Sequence, residues 1–157
     1  MIAQLLILLS ALSTALIAGV FFAFSTFVMK ALRRLPADQG IAAMQSINIA
    51  VINPAFLGVF LGAAGLCIAC TIITLLNWNG LTSMYVICGS ALYLVGTFGV
   101  TMGCNVPLNN ALAGLDVKDV RAAEKWADYV QVWGRWNHVR TAAGVLSAGA
   151  FILAIAR

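Results

Sequence analysis

Residues 54–76 read Pro54-Ala-Phe-Leu-Gly-Val-Phe-Leu-Gly-Ala-Ala-Gly-Leu-Cys-Ile-Ala-Cys-Thr-Ile-Ile-Thr-Leu-Leu76, an apolar run with no charged residue. A bilayer core of roughly 30 Å takes about 20 apolar residues as a helix, and this run is long enough. Pro54 suits the first turn of such a helix, where its missing N–H costs nothing. The absence of charge extends outward on both sides, from Gln39 to Leu115. Across the 157 residues, 62% are hydrophobic and only 9% charged, with a mean hydropathy of +0.99. A soluble domain carries roughly 25% charged residues, so the composition describes a chain solvated by lipid.

Three further apolar runs follow the same reading. The first is Ile2 to Met29, and another, Leu81 to Cys104, follows the turn Asn77-Trp78-Asn79-Gly80. The last, Thr141 to Ala156, gives only about 24 Å of helix at 1.5 Å per residue. It must therefore borrow residues from upstream, starting near Trp136, and this draws Asn137, His138 and Arg140 to the membrane boundary. The expectation is one all-α membrane domain over 1–157, a four-helix bundle with spans at about 2–29, 54–76, 81–104 and 136–156. An interfacial amphipathic helix, Val117 to Arg135, is expected between spans three and four, with Asp116 as its N-cap. Its aromatic residues Trp126, Tyr129, Trp133 and Trp136 recur at helical spacing, as in an interfacial belt, and Arg140 continues that face.

Charge sets the orientation. The loops after spans one and three hold eight of the nine Lys and Arg residues, leaving Arg157 opposite. The positive-inside rule places both loops in the cytoplasm and both termini outside. The first run lacks a basic leader and its cations follow it, at Lys30, Arg33 and Arg34, so it reads as a retained helix rather than a cleaved signal. The net charge of +4 is a topology signal, and no nucleic-acid partner is expected.

Cys67-Ile-Ala-Cys70 has CxxC spacing, but a reactive thiol needs a cation or helix N-terminus nearby. The cysteines read as packing residues. Gly58…Gly62 and Gly99…Gly103 are GxxxG pairs, which permit close helix approach within the chain or in a homo-oligomer.

Polar residues gather near the cytoplasmic ends of the spans: Asn48 and Asn53, Asn105-Val-Pro-Leu-Asn109, and Trp136-Asn-His-Val-Arg140. All are expected to face one cleft. Asn side chains can simply tie helices together. An ionisable residue at membrane depth is a functional candidate, although Arg140 can also snorkel to phosphate. One histidine without a carboxylate in the spans makes a poor metal centre. No cofactor is predicted, while single-His haem or a quinone remains open.

The same residues carry a resemblance. Gly19 to Met29, Ala31 to Pro36, Met44 to Asn48, Asn53-Pro54, Asn105 to Asn109 and Trp133-Gly-Arg-Trp-Asn-His-Val-Arg-Thr141 resemble the anthrone oxygenase-like family of small four-helix membrane proteins. The resemblance implies oxidation of an anthrone-like, flat phenolic or polyketide substrate by O2, with no classical redox cofactor, in a bacterial inner membrane. Under it His138, Arg140 and Asn137 are the candidate catalytic residues. His138 would accept the substrate proton, while Arg140 and the amides would stabilise the anion. Asn48, Asn53, Asn105, Asn109, Trp133 and Trp136 would bind the substrate. Two other classes stay open: a non-enzymatic structural or binding protein, and a haem- or quinone-binding protein. A transporter is the least favoured, since no internal repeat is visible.

Overall fold

The computed structural model describes residues 2–157, and among them there are five helices and no strands. Four are long and apolar enough to cross a membrane. They are α1 (Ile2–Arg33), α3 (Pro54–Leu76), α4 (Gly80–Ala113) and α5 (Ala122–Ile155). The shorter α2 (Ala37–Ala50) lies between α1 and α3.

Local chemistry sets the helix ends. Asn53 caps α3: its Oδ1 accepts from the Phe56 N–H at 3.0 Å, with Pro54 in the first turn. Gly80 begins α4 at φ +47, a left-handed conformation that favours glycine. Gln45 of α2 donates from Nε2 to the carbonyls of Leu112 and Leu115. It thereby ties α2 to the end of α4 and to the turn that follows it.

The segment between spans three and four is helical, and it runs into the fourth span without a break. With 34 residues, α5 is about 51 Å long at 1.5 Å per residue, longer than the roughly 30 Å that a bilayer core requires. Asp116 does not cap it. Its Oδ1 accepts from the Lys118 N–H in a turn, and the helix starts at Ala122. Asp116 lies too far upstream to reach the first-turn N–H groups. Asp119 follows in the same connection, and its hydrogen bond from Lys125 holds the carboxyl below the usual carboxylate range.

The bundle has two packed regions. Phe21, Phe60, Tyr93 and Phe151 centre the apolar one. Met44, Leu112, Trp126, Tyr129 and Trp133 centre the other, toward the charged end. Helices approach closely at Gly96, where an added Cβ would stand 2.5 Å from the Ala143 Cβ, and at Gly144 against Ala18. The GxxxG residues Gly58, Gly62 and Gly103 have nothing within 4 Å. These pairs therefore do not make the close contacts within the chain, because they lie on faces turned away from the neighbouring helices. Polar cross-ties complete the packing: the Tyr93 hydroxyl donates to the Phe60 carbonyl at 2.9 Å, and Ser147 donates to the Gly89 carbonyl at 2.7 Å.

Three stretches are wound as π-helix: Phe24–Val28 in α1, and Leu92–Gly99 and Thr101–Asn105 in α4. Such turns are rare and cluster at functional sites. The last ends two residues before Pro107, whose ring would clash with a carbonyl four residues back in a regular helix.

Candidate functional site

One face of α5 builds the site. Trp126, Tyr129, Trp133, Asn137 and Arg140 follow one another at three- and four-residue steps and are all buried, as one helical face requires. Trp136, expected on this face, is 39% exposed. Asn137 holds that place instead, because the step from Trp133 is four residues.

Arg140 is 4% exposed. Its guanidinium carbon lies 4.1 Å from the centre of the Phe21 ring and 5.0 Å from that of Trp133. Nη2 donates to Asn137 Oδ1 at 2.8 Å, and Nη1 reaches Thr101 Oγ1 at 3.4 Å. Asn137 is fully buried. Its Nδ2 donates to the Phe21 carbonyl at 2.8 Å and to Ser25 Oγ at 2.7 Å. Two π-turns supply these partners: Ser25 comes from the one in α1, and Thr101 from the second in α4.

No carboxylate answers this cation. Among the described residues the one ion pair joins Lys125 to Asp119. Removing an ion from water costs several kcal/mol, on the order of the deficit left when a partner is missing. A desolvated cation–π contact returns about 2 kcal/mol. Arg140 Nε is moreover buried without a hydrogen-bond partner.

Asn109 organises the neighbouring aromatic residues. Its Oδ1 accepts from the Tyr129 hydroxyl at 3.0 Å and from Trp133 Nε1 at 2.8 Å. Asn105, fully buried, donates from Nδ2 to the Trp133 carbonyl at 3.2 Å. Trp133 is thus held at both ring and backbone, and its ring packs against Phe24 with centroids 5.6 Å apart.

These groups border a cavity of about 280 Å³ whose lining is mainly apolar. Phe21, Phe60 and Trp133 form walls, and Asn48, Thr101, Asn109 and Arg140 supply polar atoms. Asn48 Nδ2, like Arg140 Nε, is buried and unpartnered. The lining includes no Asp, Glu, Lys or His. Ile52 and Met102 line the cavity while staying largely exposed, so it opens on the outside of the bundle beside them. An apolar space with a few convergent donors and one unmatched cation is suited to a hydrophobic anion.

The expected single cleft therefore divides. Asn48, Asn109, Trp133 and Arg140 line the cavity, while Asn105 and Asn137 support it from behind. His138 lies outside, in a separate groove between α1 and α5. It is two residues from Arg140, which on a helix turns its side chain about 200° away. Asn53 is exposed and occupied as the cap of α3, and Trp136 faces outward. Sequence reading missed Phe21, Ser25 and Thr101. The hydroxyls in otherwise apolar spans were a usable signal, whereas Phe21 carried none.

The family model for anthrone oxygenase matches residues 50–150. That stretch holds every polar group of the cavity except Asn48. No curated protein and no solved structure gives a match.

Proposed function

The chain belongs to the anthrone oxygenase family, and on that premise we propose that it oxidises a flat, ionisable phenolic ketone with O2 in the Arg140 cavity. One observation carries this reading. A buried guanidinium without a counter-ion opens on an apolar space large enough for aromatic rings.

The methylene of an anthrone is acidic because its carbanion is an enolate, with charge on the carbonyl oxygen. Arg140 and Asn48 line the cavity and each keeps one buried N–H without a partner, Nε and Nδ2, so these two side chains are assigned to that oxygen. A nearby cation lowers the substrate's pKa, so the substrate is held as its anion, its proton having passed to interfacial water before the ring system enters the cavity. His138, on the other side of α5, has no part in this step. The electron-rich carbon then joins O2, which partitions well into lipid, and the peroxide takes up a proton. Loss of water leaves the carbonyl: CH2 plus O2 gives C=O plus H2O, with four electrons passing from carbon to oxygen. Phe21 and Trp133 wall the ring system. By the positive-inside rule the charged loops face the cytoplasm of a bacterial inner membrane.

Purified protein in detergent, given a hydroxyanthrone in an oxygen-electrode cell, tests the reading. Wild-type protein is expected to consume one O2 per anthraquinone formed. Arg140→Met is expected to lose about 100-fold or more in kcat/KM, as for removal of an oxyanion donor, and His138→Ala is expected to change little. Wild-type uptake no faster than the blank would instead leave a structural or binding role.

A further inference from the structure

The groove that holds His138 has a chemistry of its own. It lies between α1 and α5, on the other side of Phe24, which lines both spaces. Its volume is about 460 Å³. Lys30 and Arg33 enter it from α1, and Arg135 and His138 from α5, with Asp128 the one acid on its lining. None of these cations is within ion-pair distance of a carboxylate, because the one such pair among the described residues is Lys125–Asp119. Gly134 contributes to the lining, and a Cβ built there would meet nothing within 4 Å. The groove thus joins three Lys and Arg groups to a hydroxyl at Ser25 and apolar sides at Met29 and Val130. It sits where the apolar run of α1 gives way to charge.

We infer that this groove binds the phosphodiester headgroup of an anionic phospholipid from the surrounding bilayer. Guanidinium groups match phosphate oxygens in fork geometry. Basic pockets between membrane helices on the charged side take such headgroups, each Lys or Arg adding to the attraction. The apolar sides suit the glycerol and the first acyl carbons. The site is distinct from the Arg140 cavity and does not depend on the oxidation proposed there.

Native mass spectrometry of the full chain, in micelles doped with phosphatidylglycerol or phosphatidylcholine of the same acyl chains, reads this directly. Wild-type protein is expected to retain one phosphatidylglycerol with about tenfold or greater preference over phosphatidylcholine. The triple variant Lys30→Gln, Arg33→Gln, Arg135→Gln is expected to lose that preference. Gly134→Phe, which fills the groove without altering its charge, is expected to lose it too. The charge variants are at exposed positions, and equal melting in phosphatidylcholine micelles verifies their fold. Equal retention of the two lipids by wild-type protein would overturn the inference. So would a preference that survives both variants. Displacement of phosphatidylglycerol by millimolar inorganic phosphate would assign the groove to a soluble phosphate ester and overturn the lipid assignment.

Discussion

Arg140 donates from Nη2 to Asn137 Oδ1 at 2.8 Å, and Asn137 in turn donates to the Phe21 carbonyl and Ser25 Oγ in α1. The amide thus orients the cation and joins α5 to α1 without neutralising the charge. An aspartate at the same place would have neutralised it.

This arrangement predicts opposite effects on stability and activity. Arg140→Met removes a buried charge that has no counter-ion and keeps much of the side-chain volume. Removing the uncompensated charge relieves a desolvation penalty of several kcal/mol, against about 1–3 kcal/mol for leaving Asn137 Oδ1 without its donor. The melting temperature of Arg140→Met in detergent is expected to equal or exceed that of wild type, while anthrone oxidation is lost. A large fall in melting temperature would show that the cation is needed for the fold itself.

Supplying the missing carboxylate should block the site. Thr101 Oγ1 is 3.4 Å from Arg140 Nη1 and lines the cavity. Thr101→Asp places an anion where the substrate anion would bind. The expected result is at least a tenfold loss of kcat/KM with no loss of thermal stability, and Thr101→Asn serves as the uncharged control. Equal activity of the two variants would argue against anion recognition by Arg140.

Asn109 offers a test of pure acceptor chemistry. Its Oδ1 takes hydrogen bonds from both Tyr129 and Trp133. Asn109→Leu leaves two largely buried donors unpaired, each at about 1–3 kcal/mol, and is expected to melt several degrees lower. Asn109→Asp keeps the acceptor and should retain most of the stability. Tryptophan emission is the companion readout, with a red shift expected for the leucine variant as Trp133 loosens.

The glycines give a fourth contrast. Gly96→Ala brings a Cβ to 2.5 Å from Ala143, and overpacking of this kind costs about 1–3 kcal/mol. Gly58→Ala meets nothing within 4 Å and improves helix propensity. Melting should fall for the first and hold or rise for the second. A monomeric chain in which Gly58→Ala melted as low as Gly96→Ala would contradict the packing.

The four spans could be read from apolar length, since lipid imposes that length directly. The polar cluster could be read as well, because Asn and Arg are conspicuous in such surroundings. The division of that cluster between two faces of α5 was implicit in the numbering, as residues two apart cannot share a helical face. Depth alone groups His138 with Arg140, and the helical angle between them separates the two. What could not be read was the continuity of α5. Nothing in Trp133-Gly-Arg-Trp136 distinguishes a joint from an uninterrupted turn, and the packing of Trp126, Tyr129 and Trp133 against α1, α2 and α4 decides it.

The π-turns have a consequence for kinship. Each wider turn accommodates an additional residue relative to the α-helix around it, and one residue is about 100° of rotation. A related chain that had lost one residue from Thr101–Asn105 would keep its span and its hydropathy almost unchanged. Its counterparts of Asn105 and Asn109 would keep nearly the same direction, because the wider turn already absorbs most of the rotation of the extra residue. Homologous positions in such proteins should therefore be matched with single-residue gaps allowed inside the membrane spans, where gaps are usually forbidden. Without them, a chain that has kept the cavity and one that has lost it would look alike.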